Sequence, residues 1–332
     1  MNLQEVAKEA RVSTATVSRV LNNVGPVRAS TRARVLKAID ELKYHPNLLA
    51  RNLAGGKSRT FGMIVSNMEN PFFFDIYRAA EDDARVDGFE ILLANTDYKP
   101  ENLVTNIRLM LGRRVAGLAL VISEMDPTLI QELSDLHIPV VFYDVGAPKH
   151  NISNIIVKYG KGIERVVHYL HELGHDRMAF VSHHPTLGPL SIRERAFTET
   201  VTRYSPQVQW KIVASADSIE GGRQAAREIV NSGLNATAII CVNDFMALGV
   251  LHELREMGVR VPQDISVTGF DNIKLGEVAY PPLTTVHIPR DRIGHLIFQA
   301  LSGPTKTPEA CGRRMVIDPE FVVRGSTGTA VS

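Results

Sequence analysis

The chain has 332 residues, 44% of them hydrophobic, so it is long enough for two or three domains with buried cores. Its two cysteines, Cys241 and Cys311, stand alone, which argues against a disulfide framework and against a cysteine-based metal site. The first residues lack the apolar run of a signal peptide and no later apolar stretch approaches a membrane span, so we expect a cytoplasmic protein.

The charge is unevenly distributed along the chain, although the net charge is only +1. Residues 1–60 carry eleven Lys and Arg against four Asp and Glu, a net charge of +7. The remaining 272 residues carry 26 bases and 32 acids, a net charge of −6. A basic head on an acidic body indicates a polyanionic partner for the head, and a basic domain without such a partner is the alternative.

The basic head is predicted to form three short helices. Ser13 stands where it can cap the second helix, and Arg32 and Arg34 of the third are available for phosphates. Apolar side chains at helical spacing are expected to face inward. They are Leu3, Val6, Ala7 and Ala10, then Val17, Val20 and Leu21, then Val35, Ala38, Ile39 and Leu42.

The opposite face of the second helix is small and polar. It carries Ala15, Ser18, Arg19 and Asn22 at spacings of three and four residues. A helix that enters the major groove needs such a face, because bulk would block entry and an arginine can fork onto guanine O6 and N7. The alternative is a three-helix bundle without a ligand.

Two stretches, LQEVAKEARVSTATVSRVLNN and VRASTRARVLKAIDELKYHPNLLARNLAGG, resemble the headpiece of the LacI/GalR family of bacterial repressors. The resemblance implies that the second helix reads bases through Thr14, Ala15, Thr16, Ser18 and Arg19. Arg11 stands in the turn where the family often has Gly. If Arg11 is left-handed, it costs about 1 kcal/mol.

The segment HPNLLARNLAGG, residues 45–56, resembles the hinge helix of the same family. An isolated helix this short is marginal in water, so we expect it to form when paired with its twin on DNA. The resemblance implies that Leu53 enters the minor groove, and that Asn47 and Ala50 allow two hinge helices to approach closely. The alternative, a disordered linker, is expected without DNA.

From Phe61 onward, short apolar runs alternate with amphipathic helices, which predicts two lobes with doubly wound parallel sheets. Polar residues follow several of these runs, where such sheets bind ligands. They are Ser123, Asp144, Asn243, Asp244 and Asp271. Capping of the next helix is the alternative role for each of them.

The body also resembles the LacI/GalR family, whose effector domain is similar to a periplasmic sugar-binding protein. The matching motifs are NPFF, ELGHDRMAFVS, SIRERAF, CVNDFMALGVL, DISVTGFD and PPLTTV. The resemblance implies effector contacts at Phe72, Phe73, Ser123, Asp144, Arg193, Asn243 and Asp271. These groups suit a small polar ligand such as a sugar. For Arg193, a salt bridge on its own helix is the alternative.

Two positions depart from the family pattern. Asp217 stands where many members have an aromatic or hydroxyl residue before a Gly pair, and Val157-Lys158 stands where many have Asp-Asn. Both positions lie near the pocket in relatives, so the resemblance does not by itself specify a standard sugar as the effector.

We expect the following domain boundaries. They are a headpiece at 1–44, a hinge and linker at 45–59, an effector and dimerisation domain at 60–325, and a disordered tail at 326–332. The first lobe comprises 60–157 and 288–317, and the second comprises 158–287 and 318–325.

The stretch HELGH, residues 171–175, has the spelling of a zinc-protease helix. Gly174 favours a helix ending in a left-handed turn, which would turn His175 away from His171. We therefore expect no metal site and no catalytic residues here.

The sequence predicts a repressor that binds double-stranded operator DNA as a homodimer, takes a small-molecule effector, needs no cofactor and contacts no membrane. Three alternatives remain. They are a solute-binding protein with an incidental basic head, a zinc hydrolase, and a DNA-binding regulator whose vestigial pocket leaves control to a protein partner.

Overall fold

The computed structural model describes residues 2–22, 25–44, 58–123, 132–133, 135–144, 148, 150–183, 189–204, 207–306 and 312–331. The chain divides into two units, Met1–Ser58 and Arg59–Ser332. Each unit has its own hydrophobic core. Among the described residues, no helix combines the length and apolar character needed to cross a membrane.

The described part of the first unit folds into helices α1 (Leu3–Glu9), α2 (Thr14–Asn22) and α3 (Ala29–Glu41). Ser13 caps α2 as predicted, because its hydroxyl accepts a 3.2 Å hydrogen bond from the Thr16 amide. The predicted inward stripes form the core. Its buried members are Val6, Ala7, Ala10, Val17, Val20, Val35 and Ala38.

The turn between α1 and α2 has an unusual backbone at Arg11, whose φ of 53° lies in the left-handed region. The Arg11 amide donates to the Lys8 carbonyl at 3.1 Å, and the Val12 amide donates to the Ala7 carbonyl at 2.9 Å. These bonds close α1 and offset the backbone cost of about 1 kcal/mol.

The described residues of the second unit form two larger sheets and one small one. In chain order its strands are β1 (Thr60–Val65), β2 (Glu90–Asn95), β3 (Leu118–Val121), β4 (Val140–Tyr143), β5 (Ile152–Val157), β6 (Arg177–His183), β7 (Gln209–Ser215), β8 (Ala238–Cys241), β9 (Ser266–Thr268), β10 (Thr285–His287), β11 (Arg314–Ile317) and β12 (Glu320–Val322). Its helices are α4 (Pro71–Val86), α5 (Pro100–Gly112), α6 (Tyr159–Glu172), α7 (Pro189–Arg203), α8 (Ile219–Val230), α9 (Asp244–Glu256), α10 (Lys274–Val278) and α11 (Arg290–Lys306).

The first lobe is built on a parallel sheet of order β11-β5-β4-β3-β1-β2, and the second on a parallel sheet of order β7-β6-β8-β9. Strands β3, β4 and β8 are buried at every residue, as expected for parallel sheets covered by helices on both faces. The antiparallel pair β10-β12 lies where the chain passes between the lobes. In both sheets the strand order reverses beside a central strand, which opens a crevice at the carboxyl ends.

The expectation of a disordered tail at 326–332 is wrong for residues 326–331. Ser326 is fully buried, and its hydroxyl donates to the Val267 carbonyl at 2.6 Å. The Ala330 amide donates to the Leu173 carbonyl at 2.9 Å. Hydrogen bonds hold this stretch in place. Its sequence has no apolar periodicity, and for that reason the sequence did not predict its order.

The HELGH stretch is the predicted helix ending. Helix α6 stops before Gly174, which has a φ of +87°. His175 is buried, with Nδ1 3.0 Å from the Thr237 hydroxyl and Nε2 3.0 Å from the Gly328 carbonyl oxygen. Both imidazole nitrogens therefore have protein partners, and His175 ties the end of α6 to β8 and the C-terminal segment.

Candidate functional site

The exposed face of α2 carries the side chains predicted to read bases. Thr14, Ala15 and Arg19 are exposed, and Thr16 and Ser18 are half-buried. The Thr16 hydroxyl lies 2.9 Å from the Ser13 hydroxyl, within the cap. This face therefore presents short side chains around one guanidinium. The side chain of Asn22 and the predicted hinge residues Asn47, Ala50 and Leu53 lie outside the described residues.

A cavity of about 30 Å³ lies between the lobes of the second unit, at the carboxyl ends of the strands. Six of the seven predicted effector contacts line it, and Asp144 does not. The lining residues are Asn70, Phe72, Phe73, Tyr98, Ile122, Ser123, Tyr143, Tyr159, Arg193, Asp217, Asn243 and Asp271.

The first lobe contributes an aromatic wall at the start of α4. Asn70 caps this helix by accepting from the Phe72 amide at 3.1 Å, and Pro71 occupies the first helical position. The rings of Phe72 and Phe73 are nearly perpendicular, with centroids 5.3 Å apart. The cap therefore holds both rings beside the cavity.

Arg193 of α7 is buried and bonded mainly to protein. Its guanidinium donates to the Val242 carbonyl at 2.6 Å and to the Asp271 carboxylate at 3.3 Å. It lies 4.3 Å from the ring centroids of both Tyr159 and Phe270. The Arg193 ion pair thus joins α7 to the loop after β9, and it is not a salt bridge within α7.

Two carboxyl groups near the cavity have altered acidity. Burial raises the pKa of Asp271 to about 6, although the opposite charges of Arg193 and Arg290 work against this shift. Burial also raises the pKa of Asp144 to about 7. The Asp144 carboxylate accepts from the Val157 amide and from the Tyr159 hydroxyl. Asp144 therefore fastens β4 to the β5–α6 connection.

Asn243 has two roles at the end of β8. Its side-chain oxygen caps α9 by accepting from the Met246 amide at 2.8 Å. Its amide nitrogen donates to the Asp217 carboxylate at 2.6 Å. Capping and cavity lining, which were alternatives for this residue, occur together. Its neighbour Asp244 accepts from the Thr285 hydroxyl and does not line the cavity.

Asp217 lies in the turn between β7 and α8. The Gly pair that follows, Gly221 and Gly222, packs closely against neighbouring backbone. A Cβ atom on Gly221 would lie 2.0 Å from the Ala216 carbonyl oxygen. A Cβ on Gly222 would lie 2.0 Å from the Met246 carbonyl oxygen of α9. Since only glycine allows these approaches, the pair fixes the turn that carries Asp217.

The other position that departs from the family pattern lies beside the Asp144 contacts. Val157 is buried, and its amide donates to Asp144. Lys158 is partly exposed and forms a 3.0 Å ion pair with Asp318. Lys158 therefore does not line the cavity.

Sequence reasoning missed the cavity-lining tyrosines, Tyr98, Tyr143 and Tyr159. Tyr143 and Tyr159 flank strand ends, and that position could have suggested them. Tyr98 lies in a loop beyond β2, and no local pattern connects it to Asp217, to which its hydroxyl donates across the lobes.

Two protein-family models match the chain. The model of bacterial regulatory proteins of the lacI family matches residues 2–47, and the model of a periplasmic binding protein-like domain matches residues 167–327. The HTH-type transcriptional repressor PurR of Vibrio atlanticus (strain LGP32) is 35% identical over 337 residues, covering 98% of each chain. PurR of Vibrio vulnificus (strain CMCP6) is 34% identical over 326 residues, covering 97% of each chain.

Solved structures give the same picture over nearly the whole chain. The lac repressor dimer bound to operator and the anti-inducer ONPF is similar with a TM-score of 0.83 and 28% identity, and 99% of each chain is covered. The complex of the transcriptional regulator CelR with cellobiose is similar with a TM-score of 0.71 and 26% identity. That match covers 98% of this chain and 99% of CelR.

Proposed function

The chain belongs to the lacI family of bacterial regulatory proteins, and on that premise we propose that it represses transcription by binding operator DNA as a homodimer. A small polar effector in the inter-lobe cleft would control this binding. The observation that carries the proposal is the exposed face of α2, where Arg19 stands among short side chains above a buried stripe containing Val17 and Val20.

Each part of the headpiece has a role in this proposal. The base-reading set comprises Thr14, Ala15, Thr16, Ser18, Arg19 and Asn22, and the hinge set comprises Asn47, Ala50 and Leu53. A two-fold dimer places two copies of α2 on one face of the duplex, so the operator would be a palindrome. The relative crystallised on operator DNA is a dimer, which supports this arrangement.

The effector would bind through Phe72, Phe73, Ser123, Arg193, Asn243 and Asp271, with Asp144 supporting the site from behind Tyr159. The domain boundaries would be those expected from the sequence, except that residues 326–331 would belong to the second lobe. The protein would work in the cytoplasm, without a cofactor and without enzymatic activity.

Control would follow from linkage between the cleft and the hinge segments. A ligand that binds one lobe arrangement more tightly shifts the dimer toward it, which changes the spacing of the two hinge segments and so the affinity for the operator. A coupling of about 1–3 kcal/mol would change that affinity by about 5–150-fold.

The proposal is tested by selecting binding sites from a random duplex library with the purified full-length protein. We expect enrichment of a palindrome whose half-sites suit two α2 helices. Failure to enrich any sequence, both alone and with a metabolite extract added, would overturn the proposal.

A further inference from the structure

The cleft contains a carboxylate that lacks a cationic partner. Asp217 is buried, and its oxygens accept from the Tyr98 hydroxyl and from the Asn243 amide nitrogen. Both donors are neutral. Among the described residues, no Lys, Arg or His forms an ion pair with Asp217. A buried carboxylate held only by neutral donors is well suited to a positively charged group.

The positive charge of Arg193 is already balanced within the protein. Its guanidinium pairs with Asp271 and lies between two aromatic rings. Asp217 and Asp271 also repel each other, since the charge of Asp217 contributes to the raised pKa of Asp271. The cleft therefore has more negative than positive charge, and a cationic ligand would correct this imbalance.

Arg193 also offers one group that the protein does not use. Its buried Nε has no hydrogen-bond partner in the described part of the structure, and Arg193 lines the cavity. Leaving a buried donor unpaired is unfavourable, so a ligand oxygen placed there would be stabilising. The cleft thus presents an acceptor at Asp217, and Arg193 keeps one unpaired donor that is buried in this arrangement of the lobes.

Tyr98 occupies the place that such a ligand would take at Asp217. It reaches across from the first lobe with a left-handed backbone, φ 59°, and its ring lies 4.6 Å from the His183 ring. The cavity of about 30 Å³ is far smaller than the roughly 300–1,000 Å³ of typical ligand pockets. A larger ligand therefore has to open the lobes, and Tyr98 is the donor it can displace, because Asn243 is fixed by capping α9.

From this geometry we infer that the cleft selects a small polyhydroxylated amine, such as an amino sugar, whose ammonium group replaces the Tyr98 hydroxyl on Asp217. A ligand oxygen would accept from the Arg193 Nε. This inference rests on the proposed function, in which the cleft binds the effector. Asp217 would then be the residue that separates amino sugars from their neutral counterparts.

The test is calorimetric titration of the full-length protein, at constant ionic strength, with three matched pairs. They are glucosamine and glucose, galactosamine and galactose, and mannosamine and mannose. We expect at least one amine to bind about tenfold more tightly or better than its neutral partner, as a charge-assisted bond to a buried carboxylate requires. Asp217→Asn should bring that ratio close to one.

Two further variants make the test specific. Tyr98→Phe should tighten binding of the amine and keep the preference, because the competing hydroxyl is gone. Asp176→Asn removes an exposed acid from the same lobe and should leave the preference unchanged. A thermal melt monitored by circular dichroism checks that each variant is folded.

Three results would overturn the inference. They are equal affinity for the two members of every pair, a preference retained in Asp217→Asn, and failure of all three amines to bind. Operator binding by the same wild-type preparation separates this inference from the proposed function. If the operator is bound and the amine preference is absent, only the inference fails. If no operator is bound, either by the protein alone or with a metabolite extract added, the proposed function fails.

Discussion

On the exposed face of α2, Arg19 is the side chain able to form two hydrogen bonds to one guanine. Arg34 of α3 is also exposed, and there the expected partner is a phosphate. The two arginines carry the same charge, but a base contact depends on sequence and a phosphate contact does not. Substitution of each in turn therefore separates base reading from charge.

Arg19→Ala should weaken binding to the selected operator by about 1–3 kcal/mol and relax base preference at the contacted position. Arg34→Ala should weaken binding to the operator and to random duplex by the same factor. Fluorescence anisotropy with both DNAs measures these effects. If Arg19→Ala lowered both affinities equally, Arg19 would not read bases.

The cleft provides a prediction about pH at Asp144. Its carboxyl has a pKa of about 7 in the folded protein against an ordinary value of 3.8, so between these values the folded state binds more protons than the unfolded state. Stability is therefore lost as the pH rises through this window, by at most about 1.4 kcal/mol per pH unit from this one group.

Asp144→Asn removes this titration. We expect the free energy of unfolding of the variant, minus that of wild type, to increase between pH 5 and pH 8, because only wild type loses stability through this group. Asp271 and Asp244 titrate in both proteins, so the difference isolates Asp144. Urea denaturation at several pH values gives the comparison, and parallel curves for the two proteins would contradict the raised pKa.

At the scale of elements, the crossing of α8 and α9 positions two cleft residues. Gly222 of α8 packs against α9 at a distance that no side chain allows, and Gly249 of α9 packs in the same way against the Ile219 carbonyl oxygen. Asp217 precedes α8 and Asn243 caps α9. Their hydrogen bond therefore depends on how closely the two helices approach.

Gly222→Ala should destabilise the protein by about 1–3 kcal/mol or more, because the new methyl group would overlap the Met246 carbonyl. Gly112→Ala in α5 is the matched control, since no atom beyond its chain neighbours and the adjoining backbone of α5 lies within 4 Å of its Cβ position. That substitution should stabilise the protein by up to about 1 kcal/mol through helix propensity. Urea unfolding followed by Trp210 fluorescence measures both, and similar effects of the two changes would refute the packing argument.

The predicted hinge gives a second prediction at this scale. Leu53→Ala should reduce the bend of the operator and the specific affinity, because less apolar surface enters the minor groove. Binding to random duplex should change little, since phosphate contacts dominate it. Gel mobility of permuted operator fragments reports the bend. An unchanged bend angle would remove Leu53 from this role.

The sequence was sufficient for the elements and insufficient for the contacts between them. Apolar runs such as VVFY and AIIC predict strands because parallel strands are buried on both faces. Gly174 predicts the end of α6 because a left-handed turn needs glycine there. Each of these signals comes from residues that are neighbours in the chain, so it can be recognised in the sequence without a structure.

The contacts that define the cleft are not local. The Tyr98–Asp217 bond joins residues 119 positions apart, and the Arg193–Asp271 pair joins residues 78 positions apart. Residue types at strand ends indicated a polar cleft, but not which groups would bond to one another. The resemblance implies an effector contact at Arg193, whereas two of its N–H groups are bonded to protein, to the Val242 carbonyl and the Asp271 carboxylate.

For the complete dimer, specific binding to the operator requires two headpieces to act together. A single headpiece offers one recognition helix, and phosphate contacts alone give weak binding that falls steeply with salt. Two headpieces held by one dimer gain specificity only when both half-sites face the same side of the duplex. The effector can then act by changing the spacing between the two hinge segments.

A direct test of the two-fold dimer compares its affinity for the selected palindrome with its affinity for the same duplex carrying five extra base pairs between the half-sites. The insertion rotates one half-site by about half a helical turn, since a turn takes about 10 base pairs. We predict that the affinity for the duplex with the insertion falls to the affinity for random DNA. Equal affinity for the two duplexes would contradict a two-fold dimer that reads both half-sites at once.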